Sequence, residues 1–182
     1  MIDPDSLIAH AEELAGRRPG RPAQIDLRRG VSAAYYAIYH ELTGLVVGTL
    51  VGSVDATIQN QIRRSLPHRE LAGLAKHLSS RASTIANKPA VPLPKELQPF
   101  AGLADVAAGD PHLVAALRTF QQLQEQRHLA DYDHDFTFDK AALEAACNSA
   151  GTALDDLRAS TTPGRQAFST MVANGRRDLK AP

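Results

Sequence analysis

Residues Leu27, Val31, Ala34, Ile38, Leu42 and Leu45 recur at steps of three and four. That spacing commits the stretch from Ala23 to about Thr49 to one long helix with a continuous core face. A second line on the same stretch, Arg29, Ala33, Tyr36 and His40, runs roughly opposite the first. The helix is therefore expected to be contacted from two sides, either at the centre of a bundle or at a seam between two copies of the chain.

The rest of the chain reads as further helices separated by clear punctuation. Ser6 is positioned to cap a first helix carrying Leu7, Ala11, Leu14 and Ala15, which the Arg/Pro/Gly run from Arg17 to Pro22 then breaks. Asp55 to Leu66 and His68 to Arg81 give one or two shorter helices, divided by Pro67, which suits the first turn of the later one. Four prolines in the thirteen residues from Asn87 to Pro99, with no helical period, predict a surface loop. Asp110 followed by Pro111 starts a helix that carries Leu113, Leu117, Phe120 and Leu123 and runs to about Tyr132. Thr137 or Asp139 opens another through about Ala159, with Leu143, Ala150, Leu154 and Leu157 facing inward, and Thr162 and Pro163 open a last one ending near Asn174 and Gly175. Strand patterns are almost absent. The expected architecture is an all-α, up-and-down helical bundle: one domain over residues 1–175, a proline-rich loop at 87–99, and a flexible tail at 176–182.

Composition narrows the function classes. The chain has 182 residues, the length of one ordinary domain, and its 20 basic and 20 acidic residues cancel, so no long-range field advertises nucleic acid or an anionic membrane. Any phosphate binding has to be local. Trp is absent and aromatics are few, which suits closely approaching helices with small side chains. One cysteine, Cys147, excludes a disulfide framework and a multi-thiolate metal site and fits a reducing compartment. No apolar run approaches the roughly 20 residues of a membrane span, and the opening MIDPDSLIAH is acidic where a secretory signal would be basic. A cytoplasmic location is expected.

The informative segment is RHLADYDHDF, Arg127 to Phe136. At 100° per residue, Arg127 falls between Phe120 and Leu123, in the middle of an apolar stripe. A guanidinium cannot shed its proton, so a place on such a face has to be compensated by carboxylates, carbonyls or a bound anion. Asp131 lies one turn on, and His134 would share the face if the helix continued. Two readings fit. Arg127 and Asp131 form a structural ion pair with His134 solvated in the following turn, or the segment binds an anion and moves a proton. In the second reading the guanidinium fork suits phosphate, and imidazole is the side-chain type able to take or give a proton near neutrality. Such a pair can cleave RNA without a metal: the imidazole acts on the ribose 2′-hydroxyl or the leaving 5′-oxygen, and the guanidinium stabilises the phosphorane-like transition state.

The run RRGVSAAYYAIYHEL, Arg28 to Leu42, together with RHLADYDH, Arg127 to His134, resembles the HEPN (higher eukaryotes and prokaryotes nucleotide-binding) domain proteins of bacteria. The resemblance covers roughly Ala23 to Ala159. It implies an all-α up-and-down bundle, a homodimer, and in many members metal-independent endoribonuclease activity in toxin–antitoxin or phage-defence systems. The family signature is an Arg, then a polar residue, then a His with four to six residues between Arg and the final His; Arg127, His128 and His134 match it at the longest spacing. By that likeness Arg127 stabilises the scissile phosphate, His134 moves the proton, and His128 and Asp131 orient them. It also implies RNA or a nucleotide as ligand and a nucleotidyltransferase-type antitoxin as partner. The alternative is a non-catalytic HEPN-like module that holds a nucleotide, RNA or protein in the same polar cleft. Some HEPN toxins carry a tyrosine two residues after the final histidine as a site of modification; this chain has Phe136 there.

Other candidates read as structural. Tyr35, Tyr36 and Tyr39 with His40 fit a core or interface, Arg63 and Arg64 a solvated face, and Cys147 a small core residue. His68 and His77 lack an acidic partner at ligand spacing, glycine-rich phosphate loops are missing, and no cofactor is implied.

Overall fold

The computed structural model of the protein describes residues 2–16, 22–86, 93 and 95–175. Most of the expected proline-rich loop, the break after the first helix and the tail at 176–182 lie outside the described residues. The described chain is all-α: α1 Pro4–Gly16, α2 Gln24–Val51, α3 Ala56–Arg64, α4 His68–Ala86, a 3-10 turn at Lys95–Phe100, α5 Ala101–Ala108, α6 Pro111–Tyr132, α7 Lys140–Ala159 and α8 Thr162–Gly175. No strand occurs among the described residues, and no helix is long and apolar enough to cross a membrane.

Two compact units share these helices, one comprising residues 1–41 and 119–155, the other 42–118 and 156–182. The division therefore falls inside α2, α6 and α7.

In the first unit the expected stripe of α2 is buried at Leu27, Val31, Ala34 and Ile38, joined by Tyr35, Ala37 and Tyr39. Opposed apolar positions come from Ala11 and Leu14 of α1, Phe120 and Leu123 of α6, and Leu143, Ala150 and Leu154 of α7. Each large side chain so buried contributes about 1.5–3 kcal/mol. The Tyr35 ring stacks on Phe120 with centroids 5.3 Å apart. At Gly30 α2 lies close against its neighbours: a Cβ there would meet the Leu143 methyls at 2.7 and 2.8 Å and the Ala11 carbonyl oxygen at 3.3 Å. An added methyl would force the Leu143 side chain to shift.

The second unit has a core of Leu42, Val46 and Val47 of α2, Leu71, Leu74 and Leu78 of α4, Leu113 and Leu117 of α6, and Phe168 and Met171 of α8. Leu45, expected on the core face, is only half-buried, because the buried face has moved to Thr43, Val46 and Val47 there. The expected loop also proves partly ordered: Lys95–Phe100 forms a 3-10 turn that buries Leu97, and the unanticipated α5 follows it and packs on α4 and α8.

Caps explain the helix starts. Asp3, not Ser6, caps α1: its carboxylate accepts from the Ser6 backbone N–H at 3.1 Å and the Ser6 hydroxyl at 2.5 Å, leaving Pro4 at the first helical position, where its missing donor costs nothing. Pro67 stands one residue ahead of α4 and its carbonyl accepts from Leu71 N–H. Asp139 caps α7 through Ala142 N–H at 2.7 Å. Asp110 serves two helices. One carboxylate oxygen accepts from Leu113 N–H at 3.1 Å at the start of α6, and the other accepts from the backbone N–H and hydroxyl of Thr161 at 2.6 and 2.8 Å at the start of α8.

Candidate functional site

All four residues singled out in RHLADYDH lie in the first unit, on the last two turns of α6 and the turn beyond it. They do not converge on one point. Successive helical residues diverge by 100°, so Arg127 and Asp131 share one face while His128 and Tyr132 share another.

Arg127 is directed at α2. Its Nε donates to Asp131 at 2.8 Å, and its guanidinium carbon lies 5.3 Å from the centre of the Tyr35 ring and 5.2 Å from that of Tyr36. The other Asp131 oxygen accepts from the Ser32 hydroxyl at 2.7 Å. With 21% of its side chain exposed, the arginine is half-buried, and it stands in the apolar stripe compensated by two π faces and a carboxylate. Burial works against its charge, but the Tyr36 phenol and the Asp131 carboxylate outweigh it and hold the guanidinium above its ordinary pKa. Burial also lifts the Tyr35 phenol far above the usual tyrosine range, with the charge of Arg127 pulling the other way. Tyr39, buried as expected, is raised for the same reason.

His134 is not on the helix, which ends at Tyr132. It sits in a turn built by Asp133, whose Oδ1 accepts from the backbone N–H groups of Asp135 at 3.0 Å and Phe136 at 3.1 Å. The side chains of His128, Tyr132 and His134 meet on an open cavity of about 460 Å³, completed by Leu129, Asp133 and Asp135. The His128 and Tyr132 rings lie 5.0 Å apart. The four expected residues thus separate into an ion pair turned toward α2, Arg127 and Asp131, and a pair of exposed imidazoles, His128 and His134.

Residues that sequence reasoning missed hold this turn in place. Arg28 donates to the carbonyls of Ala130 at 2.9 Å and Leu129 at 3.4 Å on the last turn of α6, and to those of His134 at 3.3 Å and Phe136 in the turn. One guanidinium thereby satisfies end-of-helix carbonyls and complements the negative end of the helix dipole. One turn earlier on α2, Gln24 exchanges two hydrogen bonds with the backbone of Phe138, accepting at 2.9 Å and donating at 2.5 Å. Nothing local marks Arg28 or Gln24, because their acceptors are backbone atoms of a distant segment.

The remaining candidates are placed as expected with one exception. Cys147 is buried, and burial raises its thiol to a pKa of about 11, far from a nucleophile's range. Arg64 is exposed, but Arg63, expected on a solvated face, is half-buried with its guanidinium 3.9 Å from the Cβ position of Gly44. Among the described residues no three His, Cys, Asp or Glu side chains gather where they could hold a metal ion.

No family model, curated protein or solved structure matches the chain. Function has to be argued from the site.

Proposed function

We propose that the chain is an HEPN-like, metal-independent endoribonuclease of the toxin–antitoxin or phage-defence type, acting in the cytoplasm as a homodimer. The observation that carries this reading is the pair of imidazoles, His128 and His134, on one open cavity beside an exposed tyrosine. Two imidazoles supply both halves of acid–base chemistry near neutral pH: one accepts the ribose 2′-hydroxyl proton while the other donates to the departing 5′-oxygen. Water then hydrolyses the cyclic phosphate with the roles exchanged. In this reading Arg127 supplies positive charge for the transferring phosphate, with Asp131 fixing its orientation. The resemblance of Arg28 to Leu42 and Arg127 to His134 to HEPN proteins supports RNA as the substrate. It equally supports a nucleotidyltransferase-type antitoxin as the partner.

A second reading, a non-catalytic module for RNA, a nucleotide or a protein, is favoured by one specific observation. Arg127 is committed to Asp131 and two tyrosine rings and is not among the residues lining the cavity.

The test is cleavage of RNA in EDTA by wild type and by His134→Ala, His128→Ala and Arg127→Ala, each first shown to be folded by circular dichroism. Loss of an acid or base typically costs 10²–10⁴-fold, so each histidine variant should lose at least about a hundredfold. No cleavage by wild type would leave the binding module as the function.

A further inference from the structure

Polar side chains near the end of α6 fall into two sets. Arg28, Gln24, Ser32, Arg127 and Asp131 are all engaged in internal hydrogen bonds, and Asp133 spends one oxygen on its own turn. By contrast, the ring nitrogens of His128 and His134, the Tyr132 hydroxyl and the Asp135 carboxylate have no hydrogen-bond partner among the described residues, and all four side chains line the same cavity. Tyr132 is 63% exposed, the most exposed large hydrophobic side chain described. The groups that build the turn are engaged, and those left over face one space large enough for a small ligand.

The charge around that space selects what enters it. It lies at the carboxyl end of α6, where the helix dipole is negative, and Asp133 and Asp135 add two carboxylates. Beside those carboxylates a phosphate is disfavoured, and a flat, neutral ring with hydrogen-bond donors on its edge is favoured. The geometry points to a nucleobase subsite, in which the base stacks on the exposed Tyr132 ring, beside the His128 ring inclined 45° to it, and presents its Watson–Crick edge to the Asp135 carboxylate. An ionised carboxylate only accepts, and it has two oxygens side by side. Guanine alone among the RNA bases offers two adjacent donors on that edge, N1–H and the 2-amino group. Adenine and cytosine offer an amino group beside a ring acceptor, and uracil offers one N–H between two carbonyls that a carboxylate repels. The subsite is therefore guanine-selective, and aromatic stacking with edge readout is how single-stranded RNA is recognised elsewhere.

This inference rests on the chain being an RNA- or nucleotide-binding protein, but not on its cutting RNA. It is tested by titrating the protein, followed by NMR, with guanosine, inosine and uridine 5′-monophosphates, which share the phosphate and differ in the base. Guanosine monophosphate should shift the signals of Tyr132, His128 and His134. It should bind at least about fivefold tighter than inosine monophosphate, which lacks the 2-amino group, and tighter still than uridine monophosphate. Tyr132→Ala should weaken guanosine and inosine monophosphates alike by about 5- to 150-fold, the range of one stacked base. Asp135→Asn, which keeps the backbone contacts of the turn, should abolish the preference for guanosine over inosine monophosphate. Equal binding of guanosine and uridine monophosphates, or shifts confined to other parts of the protein, overturns the subsite. RNA cleavage that depends on His134 without guanine preference would refute the subsite alone. Guanine-selective binding without cleavage would refute the nuclease reading alone.

Discussion

Replacing Asp110 by alanine should cost about 3–5 kcal/mol, because this one carboxylate, 3% exposed, holds the starts of two helices. Its first oxygen caps α6 through Leu113 N–H, and an N-cap removed to alanine costs about 1 kcal/mol. Its second oxygen takes both the N–H and the hydroxyl of Thr161. Hydrogen bonds to a charged acceptor contribute about 1.5–3 kcal/mol each, and the two share one oxygen, so together they account for about 2–4 kcal/mol. For a chain of this length, 1 kcal/mol moves the melting temperature by about 2–4 °C, so Asp110→Ala should melt about 6–20 °C below wild type. Asp110→Asn retains one acceptor and should lose less. The carboxyl also carries a pH signature: burial alone would raise its pKa, but the hydrogen bonds from Leu113 and Thr161 overcome that and hold it below the usual aspartate range. A folded-state value below the unfolded one means the stabilisation is complete above the ordinary carboxyl pKa of about 4 and is lost as pH falls through the lower folded-state value. Urea unfolding at pH 7 and at pH 3, followed by circular dichroism, should show the alanine variant with a shallower acid-side loss than wild type. A cost below about 1 kcal/mol at pH 7, or an unchanged acid limb, would refute the double-cap argument.

Gly30→Ala should destabilise by about 1–3 kcal/mol through overpacking, whereas Gly73→Ala, with nothing within 4 Å of its Cβ position in α4, should gain about 0.5–1 kcal/mol of helix propensity; parallel melts check both. If the Leu143 methyls cause the Gly30 penalty, Leu143→Ala should relieve part of it in a double-mutant cycle. Arg28→Met should release the turn at 133–138 while α7 and α8 stay protected, read as faster amide exchange of Phe136 and Phe138 by mass spectrometry; unchanged exchange would remove Arg28 as the anchor. Cys147, with its thiol near pKa 11, should react with iodoacetamide at pH 8 more than about a hundredfold slower in the folded protein than in urea, and the difference should shrink as pH rises towards 11.

Long helices were readable from the chain because their apolar steps are regular: the stripes of α2, α6 and α7 place Leu27 to Leu42, Leu113 to Leu123 and Leu143 to Leu157 in the core. The 3-10 turn and α5 were not, since prolines mask the first and the second is a short run built mainly on alanine, with too little large apolar area to register as a face. The choice of Asp3 over Ser6 as the first cap turned on Pro4 taking the first helical position, a signal present in the sequence. At the site, the Arg127–Asp131 pair was legible from a spacing of four. The separation of His128 from Arg127 follows from the same 100° step, but the position of His134 depended on where the helix stopped. That stop is fixed by Arg28 and Gln24, whose partners lie 101–114 residues further along the chain, and no local pattern records an interaction of that kind.

The same separation orders events in time. During synthesis, Gln24 and Arg28 emerge long before the carbonyls they will bind, and until then both side chains remain hydrated. Closing a loop of this size costs entropy before any contact repays it. The carbonyls of Leu129, Ala130, His134, Phe136 and Phe138 all follow α2 by about a hundred residues, so a nascent chain that ends before Leu129 carries Gln24 and Arg28 with none of the acceptors that fix the turn of His134.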